Sequence, residues 1–384
     1  MKKSILYWSP CLNPVGTIKS TINSAIAVSR YSKDKFTVQL INVCGEWSGY
    51  ENICKHNNIE MLNFGYNFYK LLPKTGFLAS RFSYLVIIIF SIIPLIKLLK
   101  KKKPNYIIIH LLTSLPMILL NIFSFNTKFV LRISGHPNLN FLRSILWKLS
   151  SDKLFAITTP TQKLYEDLIE KNIFFKKKIF FLPDAIINLK DFRNKNKLNK
   201  NLNLYHKTPT KYFLSIGRLT RQKNFLYLID EFYKFSLENK YINLVIIGEG
   251  EQKNLLLNTI REKKIENRVF IISFTDNVFY YMKKAEAFIL SSLWEEVGFV
   301  IVEAAFSNLY VISSDCPNGP KEFLLNGKAG SVYSSNQANK LFLQMKLFFD
   351  ENIHEIFLKK VKAKKQSKLY TMFNHHRVLC SIIS

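Results

Sequence analysis

The segment Ser215-Ile216-Gly217-Arg218-Leu219-Thr220-Arg221-Gln222-Lys223-Asn224 closes one apolar run and leads into another. Tyr212 to Ile216 reads as a buried strand that stops at Gly217, and a helical period begins near Asn224. Arg218 and Lys223 therefore flank a strand-to-helix loop, and loops at the carboxyl ends of parallel strands are where open α/β sheets bind ligands. Two cations beside the amides of a helix start suit a diphosphate, because guanidinium and ammonium both neutralise phosphate oxygens. In a strongly basic chain, a pair of basic loop residues also fits plain solvation.

Outward from this loop, short β-rich runs alternate with longer helical-period segments, the pattern of βα units feeding a parallel sheet. The first half contributes Ile5 to Trp8, Phe36 to Val43, Tyr106 to Leu111, Phe129 to Ile133, Leu154 to Ile157 and Ile179 to Leu182. The second contributes Tyr212 to Ile216, Leu244 to Ile247, Val269 to Ile272, Ala287 to Leu290 and Tyr310 to Ile312. Each half is enough for one doubly wound sheet. Residues 188–211, dominated by Lys and Asn, read as a polar linker. The expected organisation is α/β, with Rossmann-like domains over 1–187 and 212–350 facing a central cleft, and a tail over 351–384.

The chain has 384 residues, 48% hydrophobic and 21% charged, a balance that excludes extended disorder. Cys11, Cys44, Cys54, Cys316 and Cys380 are scattered without metal-ligand or C-x-x-C spacing, so neither a disulfide framework nor a structural zinc module is expected. The run after Met1-Lys2-Lys3 ends at Ser9-Pro10, short of the ~7–15 apolar residues of a signal peptide, and reads as a first strand of a cytoplasmic protein. A formal net charge of +28 implies a polyanionic partner: nucleic acid, an anionic bilayer or a phosphate-bearing substrate. Phe82 to Ile96 is uncharged and followed by Lys97 and Lys100 to Lys103, but it is short for a membrane span and contains Pro94. A helix over Ser80 to Leu99 is expected, either packed in the core or lying in a bilayer interface with its lysines at the head groups. Tyr106 to Leu111 should then be a buried strand, and Ser114 should open a helix with Pro116 in its first turn.

Ser291-Ser292-Leu293-Trp294-Glu295-Glu296-Val297-Gly298-Phe299 follows the strand Ala287 to Leu290, and Glu303 lies eight residues beyond Glu295 in the helix that leads away. Both carboxylates can face one cleft and accept hydrogen bonds from a polyhydroxylated ligand, while Gly298 lets the backbone come close. With Gly217-Arg218-Leu219, Gln222-Lys223-Asn224 and Val245-Ile246-Ile247-Gly248-Glu249-Gly250, this Glu295-x7-Glu303 pattern resembles the retaining nucleotide-sugar glycosyltransferases of glycosyltransferase family 4, which have the GT-B fold. The stretch Ile312 to Glu322 resembles the loop that this family sets against its donor. The resemblance implies that Arg218 and Lys223 hold the donor diphosphate, Glu303 the ribose and Glu295 the transferred sugar, with Gly16, Gly217, Gly298 and Phe299 also at the donor. Glu296-Val297 replaces the usual Gly-Phe of the family and Ser273 its frequent Gly, so the donor sugar is not specified.

Cleaving a glycosyl–phosphate bond leaves negative charge on the departing diphosphate, which must be stabilised electrostatically. No Asp-x-Asp occurs in the chain, so Arg218 and Lys223 are expected to replace a metal, with no cofactor needed. In the first half, Gly16 within Pro14 to Lys19 fits a loop facing donor and acceptor, though a single glycine is also an ordinary turn. His136, in Leu131 to Pro137, is the candidate catalytic histidine, and His110 is a second candidate or a core residue. The basic tail, Lys359 to His376, resembles the GT-B element that crosses back onto the first domain. Its His375-His376 pair lacks partners for a metal site.

The expected activity is transfer of a hexose or N-acetylhexosamine, with retention, from a nucleotide sugar, uridine-linked, to a saccharide acceptor, lipid-linked, in cell-surface glycan assembly. Its expected place is the inner face of the cytoplasmic membrane, bound peripherally to anionic lipid. Rival readings are another GT-B enzyme, such as a nucleotide-sugar epimerase or glycogen-type synthase, and a basic nucleic-acid-binding protein. Nucleic acid is not the expected partner, since the lysines are spread through both halves without an RNA-binding aromatic signature.

Overall fold

A computed structural model describes residues 2–12, 16–74, 76–135, 137, 139–197, 209–335 and 337–383. The chain divides into two units, one formed by Met1–Ile186 with Met372–Ser384, the other by Ile187–Thr371.

In the first unit the described strands are β1 (Lys3–Trp8), β2 (Phe36–Asn42), β3 (Ile59–Asn63), β4 (Tyr106–Ile109), β5 (Lys128–Arg132), β6 (Ala156–Thr159) and β7 (Ile179–Phe181). They pair in parallel in the order β3-β2-β1-β4-β5-β6-β7. Because side chains alternate along a strand, Leu6 and Trp8 enter one core and Ile5 and Tyr7 the other. Helices Phe77–Lys101, Ser114–Ile122 and Phe141–Ser150 pack into the Leu6 core. Helices Gly16–Tyr31 and Met372–Ile383 pack into the Tyr7 core. Covering both faces is what a parallel sheet requires, and it explains why the central strands are continuous apolar runs.

The second unit repeats the plan with β8 (Tyr212–Ile216), β9 (Asn243–Ile247), β10 (Val269–Ile272), β11 (Ala287–Leu290), β12 (Tyr310–Ser314) and β13 (Ser331–Tyr333), in the order β10-β9-β8-β11-β12-β13. Both sheets thus have the doubly wound order, with a switch point beside the first strand: β1/β4 in one unit and β8/β11 in the other. The strands expected from the sequence appear within two residues at either end. Two edge strands, β3 and β13, were not anticipated. Their half-exposed residues give no apolar run, as in Ile59-Glu60-Met61-Leu62-Asn63.

Two expected boundaries need correction. Residues 188–211 are not simply a linker: Leu189–Lys197 is a helix, and its Phe192 ring meets Phe279 and Phe306 edge-on, each with centroids 4.9 Å apart. That one aromatic ties the helix to the second unit, while residues 198–208 lie outside the described residues. Nor does the whole tail 351–384 return to the first unit. Helix Ile353–Ser367 stays in the second, against helix Phe299–Phe306 and β12, and only Met372 onward joins the first.

Candidate active site

At the β8/β11 switch point, β8 ends and the chain turns through a short 3-10 segment, Arg221–Lys223, into helix Phe225–Glu238. Asn224 sits between them in the left-handed region, φ 54°, a conformation that Asn tolerates better than most residues. This bend turns Lys223 back over the strand end. A Cβ on Gly217 would come within 3.0 Å of the Lys223 chain, so the glycine leaves room for it.

Lys223 Nζ is ion-paired with Glu295 Oε1, and the two side chains are only 12% and 9% exposed. Ser292 Oγ donates to the same oxygen at 2.7 Å. The β8 and β11 loops are laced together around this pair. Ser291 Oγ donates to Lys223 O at 2.7 Å, the Leu293 N–H to Gln222 O at 2.8 Å, and Gln222 Nε2 to Trp294 O at 2.8 Å. The two motifs, about seventy residues apart in sequence, therefore form one constellation.

Arg218 lies exposed on the same loop. Buried Gly298, at φ 74°, is the N-cap of helix Phe299–Phe306 and, as a glycine, has no side chain to cap it. A helix start is a region of positive potential. Phe299 is half-buried, Glu303 is buried within the helix at 6% exposure, and Glu296 is exposed. The third loop, after β12, closes against the second: a Cβ on Gly319 would fall 1.6 Å from Glu296 O, so only glycine fits there. Burial pushes the Cys316 thiol in that loop up to about 11, with Glu295 adding to the effect, so it stays protonated near neutrality.

The first-unit candidates have different surroundings. Gly16 is the exposed first residue of helix Gly16–Tyr31, and nothing lies within 4 Å of where its Cβ would be. Packing does not require a glycine there. His136 and the adjoining loop residues Pro14 and Val15 lie outside the described residues. His110 follows β4 in the core, its ring 6.0 Å from that of Tyr7, and burial drives its pKa well below the usual imidazole value. It is a neutral core histidine.

Three polar residues of this unit, Arg132, Asp184 and His375, have partners that the sequence alone does not reveal. Arg132, on β5, is buried and donates to Asp184 Oδ1 at 2.5 Å and to Leu182 O at 2.7 Å, and Ser20 Oγ donates to the same Asp184 oxygen. His375 is wholly enclosed between Ser24 Oγ, 2.8 Å from Nε2, and Pro183 O, 2.6 Å from Nδ1. Tyr7 extends this chain through Ser24 at 2.9 Å. Desolvation lowers the His375 pKa to about 4. His376 bonds instead to Ser32 Oγ at 3.0 Å, so the two adjacent histidines point to different partners.

Residues 195–367 match the family described as glycosyl transferases group 1, a span that takes in all three loops of the β8/β11 site. Just under half of the chain is thus similar to glycosyl transferases of group 1. An uncharacterized glycosyltransferase of Methanocaldococcus jannaschii is 30% identical over 249 residues, 60% of this chain and 60% of the relative. The matched stretch thus spans less than two thirds of that protein. A Campylobacter jejuni protein, N-acetylgalactosamine-N,N'-diacetylbacillosaminyl-diphospho-undecaprenol 4-alpha-N-acetylgalactosaminyltransferase, is 26% identical over 278 residues, 70% of each chain. Among solved structures, Anabaena HepE in complex with UDP superposes with a TM-score of 0.72 at 15% identity, covering 99% of both chains. Each unit thus has the Rossmann-like parallel sheet found in GT-B structures.

Proposed function

We propose that this chain is a retaining, metal-independent glycosyltransferase that moves a hexose or N-acetylhexosamine from a UDP-sugar to a lipid-linked saccharide during cell-surface glycan assembly. The observation that carries this reading is the Lys223–Glu295 pair at the second sheet's switch point, with Arg218 beside it. In that role the two cations take the donor diphosphate, and the start of helix Phe299–Phe306 adds to the field the leaving group feels. Glu303 accepts hydrogen bonds from the ribose, and Glu295 from hydroxyls of the transferred sugar. Lys223 arrives already paired, so the arriving diphosphate draws its ammonium away from a carboxylate that then turns to the sugar. Phe299 belongs to the donor side of the second unit, and the donor-binding role proposed for Gly16 and the catalytic role proposed for His136 rest on the family resemblance. Retention rests on the likeness of the Glu295-x7-Glu303 pattern to retaining enzymes.

UDP in the HepE structure supports the choice of base, and the diphospho-undecaprenol acceptor named for the Campylobacter relative supports a lipid carrier. The enzyme works at the inner face of the cytoplasmic membrane as a peripheral protein, and nucleic acid plays no part. Incubation of UDP-sugars with a short-chain polyprenyl-diphosphate saccharide in EDTA, followed by NMR of the product, tests this. The expected result is an α-linked product from an α-linked donor at a rate EDTA leaves unchanged. Turnover abolished by EDTA, or an inverted anomer, contradicts it.

A further inference from the structure

Helix Phe77–Lys101 sends Ser83, Ile87, Ser91, Leu95 and Leu99 into the first unit, a stripe with a residue at every fourth position. Its opposite side exposes Leu78, Phe82, Leu85, Ile89 and Ile93, where a surface helix of a water-soluble domain carries polar residues. The helix is long and apolar enough to cross a membrane, but its buried stripe is committed to the protein's own core, so it lies flat rather than spanning.

The same inversion recurs on its neighbours. Helix Phe77–Lys101 packs on Ser114–Ile122, which packs on Phe141–Ser150, and all three bury their inner faces in the same core on one side of the sheet. Their outer faces therefore point the same way. Ile118 and Ile122 are exposed on the second helix, and Phe141, Leu142, Ile145 and Leu149 on the third, with Phe141 and Leu142 at 78% and 75%. An exposed apolar area spread over three packed helices exceeds the isolated apolar residues of ordinary surfaces.

Charge identifies the occupant. From 61 to 151 the sequence contains no Asp or Glu, while Arg81, Lys97, Lys100 to Lys103, Arg143 and Lys148 all lie on or at the end of the two outer helices. Apolar side chains flanked by cations, of which Lys102 lies 4.0 Å from the Glu60 carboxylate, complement the interface of an anionic bilayer, where each basic residue adds to the attraction. We propose that this three-helix face is a monotopic docking surface for anionic phospholipid, with Phe141, Leu142 and Ile145 as a second foothold beside helix Phe77–Lys101. It deepens the lipid-linked acceptor reading and rests on it for its biological purpose, although its test does not.

Flotation of the full chain with vesicles of 30% phosphatidylglycerol in phosphatidylcholine, against pure phosphatidylcholine, tests the surface at 0.1 and 0.5 M salt. The chain should float with anionic vesicles, at least tenfold less with neutral ones, and less at high salt. Phe141→Ser/Leu142→Ser/Ile145→Ser, and separately Phe82→Ser/Ile89→Ser/Ile93→Ser, should each lower flotation at least tenfold while keeping the UDP-induced rise in Tm, which also shows that they fold. Equal flotation of wild type and both variants overturns the proposal, as does a wild-type dimer in gel filtration that these variants make monomeric. Loss of the UDP response in wild type with flotation intact would sink the catalytic reading and leave this surface standing.

Discussion

Two ion pairs, one in each sheet, show how the same strand order serves two purposes. Arg132–Asp184 in the first unit is sealed, 1% and 4% exposed, and both partners have further hydrogen bonds. Lys223–Glu295 in the second is only nearly closed, lies on loops rather than within a strand, and has exposed Arg218 on the same loop. A guanidinium within a core is spent on holding the chain, whereas an ammonium at the rim of a sheet keeps donors that a ligand can claim. The two cations differ in solvent access and in the hydrogen-bonding capacity left for a ligand.

The largest effect should come from Arg132→Met. It strands the Asp184 carboxylate in the core, and removal of one partner from a buried pair costs about 3–5 kcal/mol. Urea unfolding should show that loss, with UDP binding kept by whatever remains folded; a change below about 1 kcal/mol would erase the contrast. Next, Lys223→Ala should lower kcat/KM for sugar transfer about 100-fold or more, the scale for losing an electrostatic contact to a developing charge. Arg132→Met should change the same constant far less per folded molecule.

The third effect depends on pH. His375 is held near 4, below its ordinary value of about 6.5, so the unfolded chain binds the extra proton between those values. Stability is fully present above pH 6.5 and falls as pH drops toward 4, by at most about 1.4 kcal/mol per pH unit from this group. His110, also depressed by burial, pulls in the same direction. Thermal melts from pH 7.5 to 4.5 should show the decline, and His375→Asn should make it shallower; parallel curves would mean that His375 does not titrate on unfolding. The smallest effect is Ser292→Ala, which removes one hydrogen bond to Glu295 and should cost about 1 kcal/mol in kcat/KM, roughly fivefold.

The sequence carried the central strands plainly, because Tyr212–Ile216 and Ala287–Leu290 are covered on both faces and are apolar but for Ser215, whose hydroxyl bonds to Ile289 O. The edge strands Ile59–Asn63 and Ser331–Tyr333 left no such trace, since half of each needs no burial. Helix Leu189–Lys197 hid in a Lys- and Asn-rich run because, among its described side chains, Phe192 is the aromatic that meets its neighbours' rings. In the second unit, Gly217, Lys223, Glu295 and Gly298 were legible as motifs. What was not legible is that Lys223 and Glu295 bind each other, because no local spacing records a contact across 72 residues. The structural roles of Asp184 and His375 were hidden for the same reason: their partners, Arg132 and Ser24, are brought to them only by the folded chain.

Thermal-shift titration with UDP in the presence of EDTA, on wild type and Lys223→Ala side by side, bears most directly on the functional half of the contrast. A ligand that binds only the folded form raises Tm. Wild type should respond to UDP without any divalent ion, and Lys223→Ala should not respond at all. A response in both proteins, or one in wild type only to GDP or only with magnesium added, would contradict the role given to the β8/β11 cations.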